Sequence, residues 1–156
     1  MATIEDYTSG KVCDQIRMAF SIFDSAEKSL ANSDIGQNLL NAVKKFEPKK
    51  LTVGQAIQLV ENADQCAIGE RVCRAVFTDA PLTETVFLDE LAQGMVETGK
   101  ARSVTKEEAI ENIQKYSKKS IIVSKVSGKH SEICFTWPKL CVYWNAEKHG
   151  LKCINR

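Results

Sequence analysis

The stretch SIIVSKVSGKHSEICFTWP, residues 120–138, constrains the fold more than any other part of this chain. Its first half is rich in β-branched side chains. In its second half Ile133, Phe135 and Trp137 fall on one strand face, while Cys134 and Thr136 fall on the other. The segment SGKHS between the halves predicts a loop of about five residues. Pro138 cannot donate to a β-ladder and should end the second strand. The sequence therefore predicts a β-hairpin whose apolar face must be covered by other elements.

Helices are expected over most of the remaining chain, because apolar residues recur there at helical spacing. The predicted helices cover about residues 11–30, 35–46, 52–63, 83–98 and 105–117. Two of these stretches open with Thr followed three residues later by Gln or Glu, the capping-box pattern that starts helices.

These elements together predict an α+β fold that is mostly helical. Residues 11–47 should form an N-terminal helical hairpin, and the segment EPKK after it provides a plausible hinge. The helices at 83–98 and 105–117, followed by the β-hairpin, predict a C-terminal part arranged like a winged helix. We therefore divide the chain into an N-terminal helical hairpin extension, residues 1–50, and a cysteine-containing α+β domain, residues 51–156.

Charge and hydropathy narrow the classes of function. The chain has 21 basic and 20 acidic residues and a net charge of +1, so it has no overall field to attract nucleic acid or an anionic membrane. Its opening residues, MATIEDYTSG, do not have the basic start and apolar run of a secretory signal. No stretch approaches the roughly eighteen apolar residues of a membrane helix. We expect a cytoplasmic protein that does not enter membranes.

The cysteines carry most of the functional information in this sequence. Two brackets of the same length, CAIGERVC and CFTWPKLC, place Cys66, Cys73, Cys134 and Cys141 in the chain. Cytoplasmic thiols stay reduced, so grouped cysteines there more often indicate metal or redox chemistry than disulfides. The six-residue gap matches neither zinc spacing nor cluster spacing, which are usually about two to four residues. Two readings stay open, since buried cysteine also serves as a small apolar core residue.

Three segments carry a resemblance to a known family. VENADQCAIGERVCR, FLDELAQGMVETGKARSVTKEEAIENI and SIIVSKV…EICFTWPKLC, in this order, resemble a cysteine-rich domain of anaerobic bacteria and archaea that is often attached to ferredoxin-type 4Fe–4S modules. The resemblance covers about residues 52–141. Cys73 and Arg74 match the end of the family's first motif, C-x-C-R, and Ile133 with Cys134 matches the start of its last motif.

The chain also departs from this family pattern. Arg71 stands where the family has its first cysteine, and only Cys141 follows Cys134 where the family has several. Cys66 could supply a missing ligand. The resemblance then implies an iron–sulfur cluster (4Fe–4S) or a zinc ion held by Cys66, Cys73, Cys134 and Cys141, and the loss of the cofactor is the competing reading.

The leading hypothesis from the sequence is thus a small redox or metal-binding protein, active in electron transfer or redox sensing with a redox protein partner. The first alternative is a winged-helix module that binds DNA phosphates. The contacts would come from basic residues of the predicted helix at 105–117 and its flanks, namely Arg102, Lys106, Lys115, Lys118 and Lys119. Glu107, Glu108 and Glu111 on that helix weigh against it.

The second alternative is a protein-interaction module without a cofactor. In that case the helical hairpin at 11–47 would pair with the same hairpin of a second copy and form a homodimer. The sequence has no Walker loop, G-x-S-x-G or H-E-x-x-H motif, so nothing in it indicates an enzyme.

Overall fold

The computed structural model describes residues 2–26, 29–70, 72 and 84–156. Within these ranges the chain forms seven helices and six strands. The helices are α1 (Ile4–Thr8), α2 (Lys11–Ser25), α3 (Asp34–Lys44), α4 (Val53–Asn62), α5 (Asp89–Glu97), α6 (Lys106–Lys115) and α7 (Val142–Lys148). The strands are β1 (Lys49–Leu51), β2 (Cys66–Glu70), β3 (Glu84–Leu88), β4 (Ala101–Val104), β5 (Ser120–Val126) and β6 (Lys129–Thr136).

The six strands form one antiparallel sheet in the order β1-β5-β6-β3-β2-β4. The predicted β-hairpin is confirmed as β5 and β6. Its turn is shorter than expected, because His130 and Lys129 pair with the end of β5 and leave only Ser127 and Gly128 between the strands. Both turn residues have positive φ angles, 52° and 85°. Tight two-residue hairpin turns favour this backbone because its twist matches that of the flanking strands.

Helices cover both faces of the sheet, and alternation along the strands divides the core in two. The α2 face carries α1, α2, α3, α5 and α7. The α4 face carries α4 and α6. On β6, Ile133 and Phe135 point to the α4 face, so Glu132, Cys134 and Thr136 point to the α2 face. The central strand β6 is thereby buried on both sides, and polar side chains occupy one of them.

The prediction of a mostly helical fold was wrong, and a central sheet takes the place of the expected helices. The segment assigned to a helix at 83–98 begins as strand β3 within its described part, and α5 starts only at Asp89. Thr85, Val86 and Phe87 are completely buried between β2 and β6. A short apolar run fits a buried strand as well as a helix, and the pairing with β2 and β6 decides in favour of the strand.

The predicted winged-helix arrangement was also wrong. Strand β4 separates α5 from α6 and pairs with β2 at the sheet edge. Leu91 and Met95 of α5 belong to the core of the α2 face, whereas Ala109 and Ile113 of α6 belong to the core of the α4 face. Two helices on opposite faces of a sheet cannot form a helix-turn-helix unit, whose second helix must be free to enter a DNA groove.

The two helices of the predicted N-terminal hairpin, α2 and α3, both contribute to the core on the α2 face of the sheet. Helix α2 packs mainly against α1 and α7, and α3 contributes Val43 to the same core. Both helices therefore lie on the α2 face, where they line one cavity.

Candidate functional site

A cavity of about 100 Å³ lies between α2, α3, β6 and the start of α7. Its walls are mostly apolar and come from Ile16, Ala19, Leu39, Val43, Phe46 and Val142. Two exposed residues, Gln15 and Ala42, also line it, so we place its opening near them. An apolar cavity with one opening and a few polar groups is the usual form of a small-molecule site.

Glu132 lies on the floor of this cavity, at the centre of the sheet. On β6 it stands opposite Ser124 of β5 on one side and Phe87 of β3 on the other. Only 7% of its surface is exposed, because the neighbouring strands and the overlying helices enclose it. Acidic side chains are almost never this deeply buried unless they are paired. The position of Glu132 is therefore a feature that packing alone does not account for.

The carboxyl group of Glu132 accepts hydrogen bonds from one tyrosine and one serine, and a second tyrosine hydrogen-bonds that serine. The Tyr7 hydroxyl donates to Glu132 Oε1 over 2.9 Å. Ser124 also hydrogen-bonds the carboxyl group. The Ser124 hydroxyl in turn lies 2.7 Å from the hydroxyl of Tyr143. The buried polar network thus joins α1, β5, β6 and α7 under the cavity.

Burial dominates the electrostatics of this network. Desolvation raises the pKa of Glu132 to about 7, although hydrogen bonds from Tyr7 and Ser124 act in the opposite direction. Desolvation and the nearby Glu132 carboxylate also raise the pKa of Tyr7 and of Tyr143 well above the ordinary value, so both hydroxyls remain protonated donors. The carboxyl group can therefore gain or lose a proton near neutral pH, while its neighbours keep theirs.

The carboxyl group of Glu132 can accept more hydrogen bonds than the described residues donate to it. A carboxylate offers about four lone-pair sites, and among the described residues Tyr7 and Ser124 are its hydrogen-bond donors. None of the ion pairs between described residues involves Glu132. A ligand in the cavity could consequently meet a buried carboxylate that no cation of the described chain neutralises.

The structure separates the predicted cysteine ligands. Cys134 and Cys141 both line the cavity on the α2 face. Cys66 points to the α4 face, where it packs with the core between the sheet and its helices. The structure thus brings Cys134 and Cys141 to one cavity and places Cys66 on the other face of the sheet. Cys73 lies outside the described residues.

Two observations on the described residues bear on the predicted metal site. Among these residues, no three His, Cys, Asp or Glu side chains come together in a group able to hold a metal ion. Burial raises the pKa of the Cys66 thiol and raises that of Cys153 to about 12. The iron–sulfur or zinc site stays a prediction, because Cys73 is not described.

Sequence reasoning missed Glu132, Tyr7, Ser124 and Tyr143 as a group. One signal was available: in EICFT the alternation that buries Ile133 and Phe135 places Glu132 on the same face as Cys134. If both faces of that strand are covered, the glutamate must be buried. Tyr7, however, lies 125 positions away from Glu132 in the sequence, so no local pattern could connect them.

Comparison with models of known protein families, with curated proteins and with solved structures finds no match for this chain. The resemblance to the cysteine-rich domain of anaerobes therefore also stays a prediction. Among the described residues, no helix combines the length and the apolar character needed to cross a bilayer.

Proposed function

We propose that this protein binds a small, mostly apolar molecule in the cavity on its α2 face. The observation that carries the proposal is an open, apolar cavity of about 100 Å³ with a buried, hydrogen-bonded carboxyl group on its floor. An engineered apolar cavity of roughly 150 Å³ holds one benzene molecule. The present cavity has about two thirds of that volume and is open, so we expect it to hold most of one ring, with the rest of the ligand at the opening.

Two features of the wall support binding over simple imperfect packing. Ala19 and Ala42 are small residues at positions where larger apolar side chains would fill the space. A buried carboxyl group lowers the stability of the fold, whereas an apolar side chain at position 132 would not. A site that served packing alone would not combine a void with a buried acid.

Titration with ethylbenzene, followed by shifts of the protein's backbone amide NMR signals, tests this proposal. A ligand of this size reaches a Kd between about 1 μM and 1 mM when its ring is buried. The shifts should be centred on residues of α2, α3 and β6 that line the cavity.

The variant Ala42→Phe should fill the opening and weaken ethylbenzene binding at least about tenfold, a difference of about 1.4 kcal/mol. The matched control is Asn41→Phe, because Asn41 is exposed on the same helix and does not line the cavity. The control should bind as the wild type does. Absence of saturable binding to the wild-type protein, or equal weakening by both variants, would overturn the proposal.

A further inference from the structure

We propose that the ligand of this cavity carries a protonated amine, and that Glu132 is the group that binds the ammonium. This inference rests on the proposed function, because it names the class of ligand for the same site. The carboxyl group lies on the cavity floor and has lone pairs beyond those used by Tyr7 and Ser124. An ammonium group brings three donors and the opposite charge to this position.

The charges around the site favour a cationic ligand over an anionic one. The other titratable side chains facing Glu132 are Tyr7 of α1, Tyr143 of α7 and Cys134 of β6, and none of them is a cation. The ion pairs on the surrounding elements include Lys11–Asp6, Arg17–Asp14, Lys125–Glu47 and Lys129–Glu90, and none of these four involves Glu132. A carboxylate ligand would meet only repulsion from Glu132, whereas an amine would complete a buried ion pair.

Aromatic rings in the walls add to the same preference. Tyr7, Phe46 and Tyr143 all line the cavity. The negative faces of such rings attract cations, and the attraction strengthens where water is excluded. A small molecule with one ring and one ammonium group would therefore place its apolar part against the helices and its charge on the floor.

The test compares benzylamine with ethylbenzene, which has the same shape with a methyl group in place of the amine. At pH 8 the wild-type protein should bind benzylamine about 10- to 100-fold more tightly, as expected for a charge-assisted hydrogen bond in a buried site. Glu132→Gln should abolish this preference, so that the ratio of the two Kd values falls to about one.

A pH series on the wild-type protein keeps the test independent of how the variant folds. Protonation of Glu132 removes its charge, so the preference for benzylamine should disappear between pH 8 and pH 5. Ethylbenzene binding should not change over this range. Phenylacetate, an anion of similar shape, should bind more weakly than ethylbenzene at pH 8.

The outcomes separate this inference from the proposed function. Equal affinities for benzylamine and ethylbenzene would overturn the inference and leave the binding function intact. A preference for benzylamine that survives in Glu132→Gln or at pH 5 would show that another group binds the amine. Tighter binding of phenylacetate than of ethylbenzene would show that the site prefers an anionic ligand, contrary to the inference. No binding of any of the three probes would overturn both proposals.

Discussion

Glu132→Gln should make the stability of the protein less sensitive to pH. The substitution keeps the shape of the side chain and removes its charge. The amide oxygen of glutamine can still accept from the Tyr7 hydroxyl, and its NH₂ group can donate to Ser124. The variant therefore isolates the effect of ionisation from the effect of packing.

The size of this pH effect follows from the difference in the pKa of Glu132 between the folded and the unfolded protein. The pKa of Glu132 is about 7 in the folded protein, against 4.5 for an ordinary glutamate. The folded form thus holds a proton between these values that the unfolded chain releases, so this contribution to stability is full below pH 4.5 and is lost as the pH rises through 7. At about 1.4 kcal/mol for each pH unit, ionisation of Glu132 lowers the free energy of unfolding by about 3 kcal/mol.

Urea unfolding at pH 5 and pH 8 measures this effect. Between these values the wild-type protein should lose about 2 to 3 kcal/mol more of its unfolding free energy than Glu132→Gln loses. Other titrating groups, such as Asp6 and Glu147 with their lowered pKa values, contribute equally to both proteins and cancel in the comparison. The exposed residue Glu111 provides the control, since Glu111→Gln should follow the wild-type pH dependence.

One result would refute this reasoning. If Glu132→Gln and the wild type lose the same unfolding free energy between pH 5 and pH 8, Glu132 ionises at an ordinary pH. Its carboxyl group would then be solvated in the folded protein, and the buried network with Tyr7 would not exist as described.

Three further substitutions test other parts of the structure. Tyr7→Phe should lower the unfolding free energy by about 1.5 to 3 kcal/mol at pH 8 and raise the pKa of Glu132, because it removes a donor to the carboxylate; an unchanged carboxyl titration by NMR would contradict this. Cys66→Ala should leave the iron, sulfide and zinc content of anaerobically purified protein as in the wild type, since Cys66 packs on the α4 face; loss of metal would show that Cys66 is a ligand. Gly69→Ala should destabilise the protein to urea by about 1 to 3 kcal/mol, because its Cβ would collide with the Lys100 carbonyl, whereas Gly54→Ala, in open space, should not.

Local patterns in the sequence predicted the elements that depend on their own residues. The alternation in β6 placed Ile133 and Phe135 on one face, as observed. Trp137, predicted on the same face, follows the end of β6 and lines the cavity on the α2 face. The capping box that begins α4 is present, with Thr52 and Gln55 exchanging hydrogen bonds. Such features require only neighbours in the chain, so a pattern of a few residues contains the information.

Elements that depend on distant partners were missed. Strands β1 and β4 have only three and four residues, too few to show a period, and they exist because β5 and β2 pair with them. Gly69 is not among the glycines with positive φ. Its role is to let the backbone at Lys100 approach closely, which depends on the pairing of β2 with β4.

The pH experiment and the binding experiment together decide why the chain contains Glu132. If Glu132→Gln is more stable than the wild type at pH 8, the native residue lowers the stability of the fold at a position where a neutral isostere would suffice. Residues that break a packing rule in this way are commonly found at functional sites. Loss of the amine preference in the same variant would then connect the cost in stability to ligand binding. A more stable variant with unchanged binding of benzylamine would instead assign Glu132 no part in the site, and the network of Tyr7, Ser124 and Tyr143 would remain a structural feature of the core.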